Sequence, residues 1–416
     1  MKKKLMMVVM MMSVTFFCSY VIMPPVRAAV DRTYDQLKLL VDVMGMIQEN
    51  YVDVKDSKEL LTGAIHGMVH TLDPFSQFME QKTYKEMKSE TEGEFGGLGI
   101  RITEKNELLT VITPILGTPA YRAGILPEDR ILKVNGKNIQ GVALEDAVEL
   151  LRGAPGTKVT ITIVREGLKE PKDFTLAREV IKIETIHSKM IDKDIGYVQL
   201  TEFSATSQKD LSKALEDLSR QGMKSLIFDL RNDPGGLLDT AVDVCREFLN
   251  DGKLVVFTKG RQPESRRDYF THGKAPYGEL PLVVLVNRGS ASASEIVAGA
   301  MQDLKRGLII GTTTFGKGSV QSIFPFPDGS ALRLTTAKYY TPSGRSIHRD
   351  EKTGKGGVVP DIIIDVSRET EAKLYAQSEF LFASGKDPQP AVKKEDQVVD
   401  TALVKAIETL KAKTGK

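Results

Sequence analysis

Short apolar runs alternate with longer amphipathic segments between residues 194 and 366. The runs have the length of strands, whereas the segments between them repeat their apolar residues at helical spacing. A strand that is apolar on both faces needs cover on both faces, and alternating helices supply it. We therefore predict an α/β core with a largely buried sheet. The predicted strands are Ile195–Leu200, Ser225–Leu230, Leu254–Thr258 and Leu282–Val286, and the predicted helices are 206–221, 237–249 and 293–305.

Three other regions accompany this core in a chain of 416 residues, which has room for two or three domains. Residues from about 33 to 90 keep helical spacing, and residues 93–170 combine short strands with one helix near 144–152. The tail from 368 to 416 predicts two polar helices around a proline-containing linker at 387–390. The 57 basic and 55 acidic residues nearly cancel, so the charge gives no indication of a nucleic-acid partner.

The N-terminus has the parts of a secretory signal. Three lysines at positions 2–4 precede an apolar run from Leu5 to about Met23, and the small residues Ala28 and Ala29 follow. We predict cleavage near Ala28 or Ala29, with an uncleaved membrane anchor as the alternative, because the run is just long enough to span a bilayer. A lipoprotein is disfavoured, since a bulky residue precedes Cys18. In each case the body of the protein is exported, to the periplasm or the outer face of the inner membrane.

Cysteine and histidine usage argues against metal or redox chemistry. Cys18 lies in the export segment, so Cys245 has no disulfide partner in the mature chain, and its apolar surroundings predict a core thiol. His66 and His70 are four residues apart on a predicted helix, but the glutamate that a zinc protease places between them is absent. We expect no metal and no cofactor.

A serine-rich turn follows the predicted strand Leu282–Val286. Ser290, Ser292 and Ser294 lie where this strand gives way to a helix, and free backbone N–H groups at a helix start can stabilise an oxyanion. Any of the three hydroxyls could be a nucleophile. Serine is also an ordinary turn and N-cap residue, so the segment alone does not decide between chemistry and structure.

A nucleophilic serine needs a base, and no histidine stands in a motif that predicts a triad. Lys317 is the alternative, because burial can lower the pKa of a lysine until its amine is neutral. Gly316 and Gly318 flank it and allow close packing of the backbone. Without a partner motif, a solvent-exposed turn lysine would be the default interpretation. A third turn, with Gly235 and Gly236 after the strand Ser225–Leu230, can present backbone N–H groups, although a tight strand-to-helix turn needs the same glycines.

Together these motifs resemble the carboxyl-terminal processing peptidases, the tail-specific serine peptidases of family S41. The resemblance rests on Asp229-Leu230-Arg231 with Gly235-Gly236, on Gly289 through Glu295, and on Phe315-Gly316-Lys317-Gly318 with Gln321, and it extends over about residues 50–365. It implies a crotonase/ClpP-like α/β peptidase core with an inserted PDZ domain and N- and C-terminal helices. The expected boundaries are 1–29 for the signal or anchor, 30–92 for the N-terminal helices, 93–170 for the PDZ domain, 171–366 for the peptidase core and 367–416 for the helical tail.

The resemblance also implies roles for individual residues. Ser292 is the expected nucleophile and Lys317 the general base, oriented by Gln321, while the N–H groups of Gly235 and Ala293 form the oxyanion hole. Glu295 is expected to be a charge at the helix N-terminus rather than a catalytic group.

Two positions depart from the family pattern. Phe75 stands where the family often has histidine, which affects only a local contact. Asp233 stands where asparagine is common, and its negative charge near the oxyanion site would be unfavourable unless the side chain points outward.

In the PDZ-like region, Gly97, Leu98, Gly99 and Ile100 form the expected carboxylate cradle, beside a strand that can accept a peptide as an added strand. A purely structural hairpin is the alternative. Arg152, at the end of the module's helix, is expected to link the module to the catalytic domain.

The sequence thus predicts an exported serine endopeptidase that cleaves proteins with unstructured, apolar C-terminal tails. The resemblance implies a homo-oligomer and leaves open whether an adaptor protein delivers the substrate. A PDZ-based binding protein with an inactive hydrolase domain is the second reading, and the presence of both Ser292 and Lys317 argues against it. An acyl-CoA enzyme on a related core is the third, and the export segment argues against that.

Overall fold

The computed structural model describes residues 34–413 except 106–107, 116, 127, 143, 166–167, 169, 183, 351, 368, 372, 375–376 and 378–396. The predicted signal or anchor and the 387–390 linker therefore lie outside the described residues. The chain forms two compact units that divide between Phe78 and Met79. No helix in the described part of the chain is both long enough and apolar enough to cross a membrane.

The helices follow the sequence predictions to within a few residues at most ends. In chain order they are α1 (34–50), α2 (Ser57–His70), α3 (Gln81–Glu92), α4 (Pro119–Arg122), α5 (Leu144–Leu151), α6 (Ser207–Arg220), α7 (Leu238–Arg246), α8 (Ala293–Asp303) and α9 (Thr401–Lys413).

The strands include the four predicted between residues 194 and 366 and several that the apolar pattern did not single out. One of the four, Leu254–Thr258, does not lie in the central sheet, because it pairs with the strands of a second, antiparallel sheet. In chain order the strands are β1 (Gln77–Met79), β2 (Glu94–Gly97), β3 (Ile100–Lys105), β4 (Leu108–Pro114), β5 (Arg130–Val134), β6 (Lys137–Asn138), β7 (Lys158–Val164), β8 (Lys172–Ala177), β9 (Glu179–Lys182), β10 (Ile186–Met190), β11 (Ile195–Leu200), β12 (Ser225–Asp229), β13 (Leu254–Gly260), β14 (Arg267–Phe270), β15 (Leu282–Val286), β16 (Leu308–Gly311), β17 (Ser319–Pro325), β18 (Ala331–Tyr340) and β19 (Ile362–Ile363).

The first unit contains α1 and α2, as the helical spacing predicts. Asp56 begins α2 as its N-cap, because its carboxylate accepts a hydrogen bond of 3.0 Å from the Lys58 N–H. The helix ends at His70, just before Asp73 and the proline that follows it. This end confirms the predicted close of the helical stretch.

The central sheet of the second unit has the order β10-β11-β12-β15-β16-β19, with every pair parallel except β10 with β11. Ile195 pairs with Ser225, and Leu226 pairs with Leu282. Parallel strands bring their carboxyl ends to one edge of the sheet, so the turns that follow β12, β15 and β16 lie together. These are the three turns that carry the sequence motifs.

Both faces of this sheet are covered, which explains why its strands β11, β12 and β15 are mostly apolar. Helices α6, α7 and α8 pack on one face around buried residues such as Phe228 and Val284. Cys245 belongs to this cluster and burial raises the pKa of its thiol, so the predicted core thiol is confirmed. On the other face α9 buries Ala402 and Leu410. The polar tail helix therefore has one apolar face that closes the core.

A second sheet of this unit contains β14, β13, β18 and β17 in order, and all its neighbours are antiparallel. Residues 100–177 form a separate sheet of order β3-β4-β5-β7-β8, with its own core that includes Val111, Ile131 and Ile161. Strand β3 stands at the end of this order, so one of its edges is unpaired within the described sheet. A separate two-stranded ribbon pairs β2 with β9.

Candidate active site

The turn after β15 separates the three candidate serines. The Ser290 and Ser294 side chains are fully buried: Ser290 Oγ donates to the carbonyl of Leu230 at 2.7 Å, and Ser294 Oγ donates to the carbonyl of Asp233 at 3.0 Å. Ser292, between them, is only partly buried. Two of the three hydroxyls are therefore engaged in holding neighbouring turns.

Ser292 has a strained backbone. Its φ of 56° and ψ of −113° are unusual for a residue with a side chain, and such strain clusters at functional sites. It is the N-cap of α8, and the N–H groups of Ser294 and Glu295 donate to the carbonyls of Ala291 and Ser292, at 3.1 and 3.0 Å. The fold therefore places the Ser292 hydroxyl at the start of the helix, next to the N–H of Ala293.

Lys317 lies in the turn between β16 and β17 and is partly buried. Burial lowers the pKa of its amine from the ordinary value, the positive charge of Arg333 lowers it further, and the charge of Glu295 works in the opposite direction. Gly318 is required beside it, because a Cβ there would lie 2.5 Å from the backbone nitrogen of His348. The turn thus holds a lysine that gives up its proton more readily than an ordinary lysine does.

Glu295 connects the serine turn to the lysine turn. Its Oε2 accepts from the N–H of Ser292 at 3.0 Å and from the N–H of Lys317 at 2.8 Å, while its Oε1 accepts from the hydroxyl of Thr314 and from the N–H of Gly316. The side chain is fully buried. Burial raises the pKa of this carboxyl, and the four donors oppose that shift. Glu295, expected to be a charge at the helix N-terminus, therefore also connects the serine turn to the lysine turn, and we call this connection the clamp.

Tyr339, on β18, is a further residue of the site, and no sequence motif marks it. Its hydroxyl donates to the carbonyl of Lys317, and it also hydrogen-bonds the Ser292 side chain. Burial, followed by the charge of Glu295, raises the pKa of the phenol well above its ordinary value, so the hydroxyl stays protonated. The only signal in the sequence is a tyrosine near the end of a strand that mixes polar and apolar residues, which predicts nothing specific.

The glycine turn after β12 lies directly against the nucleophile turn. A Cβ on Gly235 would lie 2.7 Å from Cβ of Ser292 and 2.8 Å from the nitrogen of Ala293, and the φ of Gly235 is +99°. The N–H of Gly235 donates to Oδ1 of Asp233 at 2.8 Å. The two expected oxyanion donors are therefore neighbours, and one of them is engaged by an internal acceptor. The Asp233 side chain is fully buried, so it does not point outward, which was the orientation that would keep its charge away from the oxyanion site.

Gln321 lies on β17, four residues beyond Lys317. Its Nε2 donates to Thr335 at 2.8 Å and to Ser319 at 3.2 Å. Its Oε1 is buried and accepts no hydrogen bond from the described residues. In this structure Gln321 therefore does not accept from Lys317, although it keeps a buried acceptor oxygen in the same strand region.

The Asp229-Leu230-Arg231 motif forms a buried ion network at the strand end. Arg231 contacts Asp229 at 2.6 Å and Asp400 at 2.9 Å, and the hydroxyl of Tyr197 donates to Asp229 at 2.6 Å. Burial acts to lower the pKa of Arg231, but the charges of Asp229 and Asp400 outweigh it and raise the pKa well above its ordinary value. The network ties the start of α9 to the strand that leads into the glycine turn.

The expected carboxylate cradle begins the sheet of residues 100–177. The carbonyl of Gly99 accepts from the N–H of Ile115 at 2.8 Å, and the carbonyl of Leu98 accepts from the N–H of Ala120 at 3.0 Å. Ile100 starts the edge strand β3, while Gly97 ends β2. The cradle thus stands at the open edge of the sheet.

Arg152 follows α5, and its guanidinium lies 4.8 Å from the ring centre of Phe95 on β2. This cation–π contact joins the end of the module's helix to the ribbon of β2 and β9.

Three family models match the chain. They are peptidase family S41 over residues 194–364, a PDZ domain over residues 110–165 and the N-terminal domain of the activating protease CtpB over residues 23–83.

The chain is also similar to curated proteins and to a solved structure. A carboxy-terminal-processing protease of Bartonella bacilliformis is 44% identical over 347 residues, which cover 82% of this chain and 78% of the relative. The carboxy-terminal processing protease CtpA of Bacillus subtilis is 36% identical over 357 residues, covering 85% and 74%. The photosystem II D1 C-terminal processing protease is 31% identical, covers 79% of this chain and 92% of that one, and has a TM-score of 0.47.

Proposed function

Because the chain belongs to the carboxy-terminal processing serine proteases of peptidase family S41, we propose that it is an exported endopeptidase with a Ser292–Lys317 dyad. Its substrates are proteins with unstructured, apolar C-terminal tails, which the PDZ domain captures. Peptide cleavage then takes place near the captured end.

One observation carries the dyad. The backbone N–H groups of Ser292 and Lys317 donate to the same carboxylate oxygen of Glu295, at 3.0 and 2.8 Å. Two residues whose backbone nitrogens share one acceptor atom have neighbouring main chains. Of the three serines in the turn, the dyad uses the one that is only partly buried, whereas the buried hydroxyls of Ser290 and Ser294 donate to backbone carbonyls.

The reaction is acyl transfer through a neutral lysine. The lowered pKa of Lys317 favours the free amine, which takes the proton from Ser292 Oγ as that oxygen attacks the peptide carbonyl. The N–H groups of Ala293 and Gly235 stabilise the oxyanion. The protonated lysine returns its proton to the leaving amine, and it then activates the water that hydrolyses the acyl-enzyme.

Substrate capture uses the open edge of β3. A peptide that lies along this edge adds a strand to the sheet, and its terminal carboxylate reaches the N–H groups of the Gly97–Ile100 cradle. Main-chain hydrogen bonds supply affinity without demanding a particular sequence, which suits an enzyme that recognises chain ends.

The dyad is tested with a folded protein that carries a disordered apolar tail. Ser292→Ala and Lys317→Ala are expected to remain folded and to lose cleavage. Lys274→Ala, at an exposed lysine outside the serine, lysine and glycine turns, is expected to keep cleavage. Mass spectrometry of the products maps the cut. Full activity in either dyad variant would remove that residue from the mechanism.

Tail recognition and export need separate tests. Amidation of the substrate's C-terminus is expected to raise KM with little change in kcat, because it removes the negative charge that the cradle binds. An unchanged KM would exclude the cradle as a carboxylate site. Cell fractionation and N-terminal sequencing of the mature protein test export, and full-length protein in the cytosol would contradict it.

A further inference from the structure

Asp233 is a buried acid inside the oxyanion turn. Its side chain has no exposed surface, and Oδ1 accepts the N–H of Gly235 at 2.8 Å. Oδ2 is also buried and finds no hydrogen-bond partner among the described residues. A buried carboxylate with one unsatisfied oxygen is costly, whereas a neutral carboxylic acid in the same place costs much less.

The backbone of Asp233 places this acid beside the nucleophile. Its carbonyl accepts from the N–H of Ala291 at 3.0 Å and from the Ser294 hydroxyl at 3.0 Å, so it is bonded to residues on both sides of Ser292. Gly235, two residues on, lies so close to Ser292 that an added Cβ would be 2.7 Å from Cβ of Ser292. An oxyanion formed at Ser292 would therefore lie close to the Asp233 carboxyl.

The charges around Asp233 do not favour its ionised form. Burial raises the pKa of Asp233 well above its ordinary value, and the charge of Glu202 raises it further, while the N–H of Gly235 and the nearby hydroxyl of Ser294 oppose the shift. Two other charged groups of these turns, Arg231 and Glu295, have partners of their own. Arg231 pairs with Asp229 and Asp400 at the strand end, and Glu295 is held by the serine and lysine turns.

We propose that Asp233 is a positioning residue that must be protonated for turnover. As a neutral acid, Asp233 is uncharged, like the asparagine that is common at this position in the family. It then leaves the Gly235 N–H available to the oxyanion. As a carboxylate it holds that N–H in a charge-assisted bond and repels the oxyanion. The inference rests on the proposed function, because it concerns the oxyanion formed at Ser292.

The first test compares pH profiles of kcat/KM for the wild type and Asp233→Asn, with Asp243→Asn as the matched control in an exposed ion pair on α7. Wild type and control are expected to lose activity together on the alkaline side as Asp233 ionises. The loss approaches about 10²-fold, the usual effect of removing one oxyanion donor. Asp233→Asn keeps its activity there. Coincident alkaline limbs in all three proteins would overturn the proposal.

The second test does not need activity. Thermal unfolding of Ser292→Ala is compared with that of Ser292→Ala/Asp233→Asn across pH. Below the unfolded-state pKa of about 3.9, the acid is neutral in both states and the two melting temperatures should agree. Above that pKa, unfolding releases a proton from Asp233. The melting temperature of Ser292→Ala therefore falls progressively below that of the double variant, until the pH passes the folded-state pKa of Asp233.

The two tests separate the hypotheses. If the wild type is inactive, the proposed peptidase function is wrong. If the difference in melting temperature between Ser292→Ala and the double variant nevertheless widens with pH, Asp233 is protonated in the folded protein. Active wild type with a pH-independent difference would defeat the Asp233 inference alone. A double variant that fails to fold at every pH would also defeat it, because an amide must replace a neutral acid without large cost.

Discussion

The backbone N–H of Lys317 donates to the carboxylate of Glu295 at 2.8 Å, although 22 residues separate the two in sequence. The same oxygen accepts from Ser292, so one buried side chain sets the position of both turns. The relative position of the serine turn and the lysine turn therefore depends on one fully buried carboxylate.

Glu295→Gln is expected to misplace the two turns. The amide of glutamine has one acceptor oxygen and one NH2 group. The oxygen can accept from one pair of the present donors, but the NH2 group would face the other pair, and two donors form no hydrogen bond. We expect kcat/KM to fall by about 10²-fold, as for displacements of about 1 Å at an active site, and the protein to lose about 1–3 kcal/mol of stability. Steady-state kinetics and urea unfolding measure the two effects. Glu264→Gln, at an exposed site, is the control, and equal behaviour of the two variants would contradict the clamp.

Arg333→Gln is expected to move the acidic limb of the pH profile. Burial is the main cause of the lowered pKa of Lys317, and the charge of Arg333 is the second. Removing that charge raises the pKa of Lys317, so less of the amine is neutral at a given pH and the limb shifts to higher pH. The measurement is kcat/KM against pH. Lys338→Gln removes an exposed cation from the same strand, and a shift as large in this control would show that the effect is not specific.

Ser292→Gly is expected to abolish cleavage and yet to be more stable than Ser292→Ala, which loses the same hydroxyl. A φ of 56° with this ψ costs a residue with a Cβ about 1–3 kcal/mol, and glycine removes that cost while losing about 0.5–1 kcal/mol in chain entropy. The net gain is about 1 kcal/mol, which raises Tm by about 2–4 °C. Calorimetry checks it. Ser292→Ala keeps the strain and serves as the comparison, so a glycine variant no more stable than the alanine variant would argue against strain at this position.

Tyr339→Phe is expected to slow catalysis by about tenfold and to cost about 1–2 kcal/mol, because the carbonyl of Lys317 loses its donor. Kinetics and urea unfolding are the measurements. The neighbouring Tyr340 is the matched control, since its ring stacks on Phe257 at 5.2 Å. Tyr340→Phe keeps that ring contact and should leave kcat unchanged, and a similar loss in both variants would count against a specific role for Tyr339.

Apolar patterning predicted the helices that cover the core and three strands of the central sheet, but it did not mark β10, β16 and β19, and the predicted strand Leu254–Thr258 belongs to the second sheet. Ile195–Leu200 and Leu282–Val286 have their predicted bounds, because strands buried on both faces are mostly apolar. Strands β17 and β18 are different. They are only partly buried and mix polar with apolar residues, so periodicity did not mark them, and Tyr339 was missed with them.

The sequence by itself determined the α/β core, the three turns at strand ends and the short set of residues from which a nucleophile and a base can be drawn. Local spacing and residue type suffice for this, because they fix strand length and turn shape. Only the tertiary structure decided which serine stays accessible, that Glu295 spans two turns, and that Asp233 points into the protein. Those outcomes depend on contacts between segments far apart in the chain, which no local pattern encodes.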